Sequence, residues 1–148
     1  MNREQLLFDS HCHLDDGQFD IDRETMLPSL QGQGIFACLT CGSDLNSSLA
    51  SLELAKRYDF IFAAAGIHPH EASKMESGDL SHIKELLKEP KVVALGEIGL
   101  DFYYDFSPRE VQTRLLHQQL DLAVEMGKPV VLHVRDAHGA KTPTGRRH

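Results

Sequence analysis

Two histidines flank a single residue in Asp9-Ser10-His11-Cys12-His13. On an extended strand residues i and i+2 share a face, so His11 and His13 can offer both imidazoles to one cation. Imidazole is the commonest nitrogen donor for zinc, manganese and nickel centres. A second ionisable group, Glu97, interrupts an apolar run in Val92-Val93-Ala94-Leu95-Gly96-Glu97-Ile98-Gly99-Leu100-Asp101. A carboxylate in a buried strand is costly unless a cation or a donor meets it. It can also bridge two ions, and ions about 3.5–4 Å apart clamp the attacking and leaving oxygens of a displacement. The alternative for Glu97 is pairing with a lysine or arginine. His133 follows apolar residues in the same way, in Val130-Val131-Leu132-His133-Val134-Arg135-Asp136. Alone it reads as a hydrogen-bonded core histidine. Beside the other two groups it becomes a third metal-competent residue at a strand end.

Around these residues stand groups suited to holding a substrate. In His68-Pro69-His70, His68 is read as a substrate-facing donor and His70 as a loop residue. Arg135 can pair bidentately with a phosphate, or form a surface ion pair with Asp136. Tyr103 and Tyr104 can stack on a base, line a pocket or cover a rim. His82 and His117 fall in helical stretches, His138 and His148 near the C-terminus, and none is given a role. The chain has no Walker loop, G-x-G-x-x-G, G-x-S-x-G or H-E-x-x-H, so P-loop, dinucleotide, serine-hydrolase and zincin chemistry lack support. Cys12, Cys38 and Cys41 are odd in number and lie in or beside apolar stretches, which fits buried, reduced thiols better than disulfides or a zinc ribbon.

The elements that must position these groups alternate regularly. Apolar, β-branched or aromatic runs at Leu6 to His13, Ile35 to Cys41, Phe60 to Ile67, Val92 to Ile98 and Val130 to Val134 read as strands covered on both faces. Between them, helical spacing runs from about Ile21 to Gln33, Asn46 to Arg57, Gly78 to Leu87 and Pro108 to Met126. Asp44 or Ser47 can cap the second helix, Ser107 can cap the fourth with Pro108 at its first position, and Gly127 stops it. Parallel strands need crossovers of this length, so the fold class is α/β with a parallel sheet. In a parallel (β/α) barrel of the TIM type the C-terminal strand ends meet on one face. Such a barrel takes about 250 residues, so residues 1–138 correspond to about the first half of one. The segment 139–148 (GAKTPTGRRH) has neither helical periodicity nor an apolar face and reads as a disordered tail.

With 148 residues, 41% hydrophobic and 25% charged, the chain can bury one core. No apolar run approaches ~18 residues and the N-terminus has no signal-like h-region, so the expectation is a cytoplasmic protein with no membrane segment. The net charge of −7 opposes nucleic-acid binding by counterion release. Bound cations would reverse that field locally.

Taken in order and at their intervals, DSHCHLD, AAAGIHPH, VVALGEIGLDFYYD and PVVLHVRDA resemble the TatD family of metal-dependent hydrolases, over about Leu7 to Asp136. The resemblance implies a (β/α)₈ barrel, two divalent metal ions (magnesium, manganese or zinc) and deoxyribonuclease chemistry on DNA, with metal-activated water attacking phosphorus. It implies His11 and His13 on one metal, Glu97 as catalytic bridging ligand and His133 on the second. It also implies His68, Tyr103 and Arg135 as contacts to substrate. The family's further histidine ligand and late aspartate would lie beyond residue 148, so reduced metal affinity and little turnover are expected of this chain alone. Two other readings are a noncatalytic fragment that binds metal weakly and self-associates through open sheet edges, and a related amidohydrolase acting on a small amide or lactone.

Overall fold

The computed structural model describes residues 6–137, so the 139–148 tail lies outside the described residues. Five strands, β1 (Leu7–Cys12), β2 (Ile35–Cys41), β3 (Ile61–Ala65), β4 (Val92–Asp101) and β5 (Val130–Arg135), form one sheet in the order β1-β2-β3-β4-β5. Every neighbouring pair is parallel. The helices α1 (Arg23–Gly32), α2 (Leu45–Arg57), α3 (Asp79–Leu86) and α4 (Arg109–Met126) make the crossovers. A doubly wound sheet reverses its strand order at a switch point. Here the order never reverses, as in a barrel wound in one direction.

The two sheet faces are covered differently. On the helical side lies the main core, where Leu27, Leu52, Ile61, Ile83, Val92, Leu95, Ile98 and Leu115 pack together. A smaller cluster on its own, Leu39, Cys41, Ala64 and Ala94 with Phe62, Val93 and Val131 against it, draws on the inner strands and β5. Between Ala63 and Ala64 the β3–β4 register slips by one residue, from Val92 to Ala94. That bulge lets the adjacent residues Val93 and Ala94 both serve the smaller cluster.

Coverage on both faces holds for β3, β4 and β2 beyond the exposed Phe36, but fails for the outer strands. β1 is exposed at all positions except the half-buried Cys12, and β5 is exposed at Leu132, Val134 and Arg135. These are the edge strands, each paired on one side only. Leu7, Phe8, Leu132 and Val134 therefore present about half their surface to solvent.

Most of the expected punctuation is present. The Asp44 side chain caps α2 by accepting from the Ser47 amide, and Gly127 closes α4 in the left-handed conformation. Ser107 does not cap α4. Pro108 is the N-cap residue, and the buried Ser107 hydroxyl donates instead to the His70 carbonyl while accepting from the Ser73 amide. His70 is not in irregular loop either, since Pro69–Lys74 forms a short 3₁₀ segment, tied down by those bonds.

Gly99 marks where β4 meets β5 most closely. Its φ of +152° disfavours any side chain, and a Cβ there would lie 1.8 Å from the His133 carbonyl oxygen. Gly99→Ala should therefore lower unfolding stability by about 2–4 kcal/mol in urea titration. Gly32→Ala, in α1 with nothing within 4 Å of the added methyl, should be neutral or stabilise by up to about 1 kcal/mol. Equal effects from the two substitutions would refute this account of the β4–β5 contact.

Candidate metal centre

Glu97 is the middle of the site. Its backbone N–H donates to the Gly42 carbonyl across the sheet end, and its side chain is only 6% exposed. From β1 and the turn after it, His11 Nε2 and His13 Nε2 approach the same carboxylate oxygen, Oε2, at 3.1 and 3.2 Å. From β5, His133 Nδ1 lies 3.2 Å from the other oxygen, Oε1, and His68 Nε2, just past β3, lies 3.9 Å from it. The two oxygens of one carboxylate are thus divided between two sets of imidazoles carried by different strands.

The sheet explains the convergence. His133 is opposite Gly99 in the β4–β5 register, two residues beyond Glu97. Gly96 lies against β5 closely enough that a Cβ would sit 2.7 Å from the Val131 side chain, so the backbone carrying Glu97 is pressed onto its neighbour. His13 is oriented from behind, because its Nδ1 lies 2.9 Å from the Cys41 carbonyl. A carbonyl only accepts, so Nδ1 carries the proton and Nε2 faces Glu97.

Helix α4 finishes the ends of β3 and β4 with two buried glutamines seven residues apart. Gln119 accepts from the Ile67 N–H and donates to the Ile67 carbonyl. Gln112 does the same for Asp101 and donates also to the Ser107 carbonyl. Each amide takes the place of a missing strand neighbour at the point where the chain leaves the sheet.

Asp101, fully buried at the end of β4, is a site residue that the sequence reading does not single out. Its Oδ2 lies 2.8 Å from both His70 Nε2 and His133 Nε2, and its Oδ1 accepts from the Tyr103 and Tyr104 amides. A signal is present, since an aspartate ends the same apolar run as Glu97. Its partners are distant in sequence, at His70 and His133, which hides the connection.

The remaining candidates take less central places. Arg135 is exposed, forms no ion pair with Asp136, and sets its guanidinium 5.1 Å over the Tyr104 ring. Tyr104, rather than Tyr103, stands edge-on to His70. The Tyr103 ring is exposed and meets the Tyr104 ring. A cleft of roughly 270 Å³ opens beside the centre, lined by His13, Asp15, Asp16, Ser43, Ser47, His68, His70, Glu71 and Glu97. Among the described residues two groups are compact enough to hold a metal ion: His11, His13 and Glu97, and His68, His70 and His133. No disulfide forms: Cys38 and Cys41 are buried and Cys12 half-buried, all as free thiols. Burial pushes the Cys41 thiol up to about 12.

The charges are strongly coupled. Burial alone would raise the Glu97 carboxyl, but hydrogen bonds from His13 and His11 outweigh it and bring it down to about 2. The same bond to Glu97 raises His13, against its own desolvation. Burial works unopposed enough on His68 to push it down to about 4. For Asp101, burial again acts upward, yet the Tyr104 amide and the two histidines hold it below the usual carboxylate range.

Comparison with known proteins follows the same lines. The protein-family model described as TatD related DNase matches residues 8–142. The uncharacterized metal-dependent hydrolase YabD of Bacillus subtilis is 39% identical over 132 residues, covering 89% of this chain and 52% of its own length. The 3'-5' ssDNA/RNA exonuclease TatD of Cronobacter turicensis is 38% identical over 132 residues, with 89% and 50% covered. Among solved structures, the TatD homolog YJJV from Escherichia coli K12 superimposes with a TM-score of 0.84 at 34% identity, over 91% of this chain and 53% of that one. A hydrolase TatD family protein from Entamoeba histolytica gives 0.81 at 23% identity, over 89% and 50%, a likeness of fold alone. The chain spans about half the length of the curated relatives it matches. Its five parallel strands and their helices are accordingly a TIM-type (β/α) arrangement covering about half of such a barrel.

These couplings fix the sign of the pH dependence without metal. Below about pH 6.5 the unfolded chain protonates His68 more readily than the fold does, so stability falls as pH drops from about 6.5 to 4. Glu97 extends the loss from about 4.5 downward, and Asp101 adds to it. His13 acts oppositely: its contribution is full below about 6.5 and is lost as pH rises through its raised value. Urea titrations of the metal-free chain should show a loss on the order of 2 kcal/mol between pH 6.5 and 4. His68→Gln should flatten that interval, and a wild-type chain equally stable at both ends of it would contradict the assignment.

Proposed function

This chain belongs to the TatD-related DNase family, and from that premise we propose that it is a metal-dependent hydrolase acting on nucleic-acid phosphodiester bonds, DNA above all. The observation that carries the reading is the division of Glu97, with Oε2 facing His11 and His13 and Oε1 facing His133. That donor set suits two divalent cations, one held by His11 and His13, the other by His133, with Glu97 between them. Its imidazoles favour manganese or zinc over magnesium. Cations there would supply Lewis-acid activation of water and neutralise charge developing on the phosphoryl group.

The chain's own residues do the rest. Glu97 holds both histidine sets in register, while the Cys41 carbonyl keeps His13 Nε2 directed at the centre. His68, neutral and facing the cleft, is placed to donate to a substrate oxygen. Arg135 has no carboxylate partner among the described residues and lies over Tyr104, where it can take a phosphate in a bidentate grip. That free guanidinium favours a phosphodiester over a small amide or lactone. Tyr103, with Tyr104 beside it, offers a face for a base. The relatives named as ssDNA/RNA exonucleases support a single-stranded substrate. Three free thiols support a cytoplasmic setting, and residues 1–138 are taken as the half-barrel unit.

A second reading concerns the chain in isolation. Exposed Leu7 and Phe8 on one sheet edge and Leu132 and Val134 on the other favour association with a second copy. Size-exclusion chromatography with light scattering should then give a mass above 16.6 kDa, and a compact monomer at micromolar concentration would exclude it.

The proposed chemistry is tested by calorimetric titration with manganese or zinc and by cleavage of end-labelled single-stranded DNA. Uptake of two ions per chain is expected. Glu97→Ala should weaken uptake at least about 10-fold and lower any cleavage by about 100-fold or more. Cleavage that survives Glu97→Ala unchanged does not arise from this centre.

A further inference from the structure

The environment of Asp101 has a consequence for the chemistry of two histidines. Four groups converge on its buried carboxylate. Oδ1 receives the N–H groups of Tyr103 and Tyr104, at 3.2 and 2.9 Å, and these can only donate. Oδ2 stands 2.8 Å from His70 Nε2 and 2.8 Å from His133 Nε2. The backbone of Asp101 is itself clamped by Gln112 on both its N–H and its carbonyl, so the carboxylate cannot swing away. Among the described residues no buried side-chain polar atom lacks a partner. As an ionised carboxylate, which only accepts, Asp101 makes all four contacts favourable together.

We infer that Asp101 is a positioning residue that accepts an Nε2–H from both His70 and His133 and so holds the Nδ1 edge of His133 turned toward Glu97. The role of Nδ1 as a donor rests on the metal reading of Glu97 and His133. The Nε2–H bonds to Asp101 do not. His133 Nδ1 lies 3.2 Å from Glu97 Oε1, so the ring is gripped on one nitrogen and presented on the other. His13 repeats the scheme with its nitrogens exchanged, the Cys41 carbonyl gripping Nδ1 and Nε2 being presented. The two histidine arms thus reach opposite oxygens of Glu97 through different ring nitrogens, each set by a fixed acceptor behind it.

Because one oxygen of Asp101 serves two rings, it also couples the 3₁₀ segment carrying His70 to β5. His70 packs edge-on to His68, Tyr104 and Phe106. Asp101 thereby holds together the cleft wall and the ligand strand, although it lines neither the cleft nor the Glu97 contacts.

The test is long-range proton–nitrogen NMR correlation on the metal-free chain with ¹⁵N-labelled histidine, which reports which ring nitrogens carry a proton. Both His133 and His70 should carry a proton on Nε2. In Asp101→Asn the amide oxygen must stay with the Tyr103 and Tyr104 N–H groups, so its NH₂ faces the rings and His133 should switch to Nδ1–H. Cobalt(II) titration, read by its visible d–d bands, should then show binding weakened about 10–100-fold relative to wild type. A His133 ring without a proton on Nε2 in the wild-type chain overturns the inference, and needs no variant to be seen. So does an unchanged tautomer in a folded Asp101→Asn chain, which would reduce Asp101 to a packing role. If the wild-type tautomers are as stated while the wild-type chain takes up no cobalt, the positioning role stands and the metal reading fails.

Discussion

The candidate metal centre is arranged around one energetic problem, a carboxylate buried at the end of β4. An ionised glutamate removed from water costs several kcal/mol unless it is met by charge or hydrogen bonds. Glu97 is met by imidazoles from β1, from the end of β3 and from β5. Those contacts keep it ionised despite the burial that acts the other way. The same groups that relieve the carboxylate are ligands by chemical type, so solving the burial problem and building a cation site are one operation. Where protons bridge His13 and Glu97 in the metal-free state, a cation would take their place.

Geometry of that quality demands close backbone approach, and the sheet supplies it with glycine where side chains would intervene. Gly96 and Gly99 bracket Glu97 and press β4 onto β5, which brings His133 within reach of Oε1. Behind the strand ends, the irregular chain has lost its ladder partners. Gln112 and Gln119, on one face of α4, restore them at Asp101 and Ile67. The helix therefore does more than cover the sheet, because it fixes the two exits from which Asp101, His68 and His70 project.

Much of this arrangement is legible in the amino-acid sequence. Period and punctuation locate all five strands and four helices, and the strand-end rule singles out His11, His13, Glu97 and His133, which do converge. The features that sequence does not betray depend on tertiary contact. Ser107 has the local signature of a helix cap, yet the buried 3₁₀ segment beside it competes for its hydroxyl and wins. Asp101 ends the same apolar run as Glu97, but what it does is hidden because its partners, His70 and His133, lie far away in sequence. Tyr103 and Tyr104 are equivalent in sequence, and only the turn held by Asp101 Oδ1 decides which ring faces His70. The expectation of strands covered on both faces fails where periodicity carries no information, on whether a strand has one neighbour or two.

The net charge of −7 remains to be reconciled with the polyanionic substrate proposed for this chain. Counterion release from a basic face cannot supply the attraction, because the described residues present no such face at the cleft, which Asp15, Asp16, Glu71 and Glu97 line instead. Attraction must then come from whatever neutralises those acids. Two divalent ions would contribute four positive charges, enough to offset the four acids lining the cleft and to concentrate positive charge beside Glu97, where a phosphate would sit. Such a protein would hold nucleic acid weakly along its surface and tightly at one bond. That pattern suits an enzyme that works at single phosphodiester positions better than one that grips an extended strand.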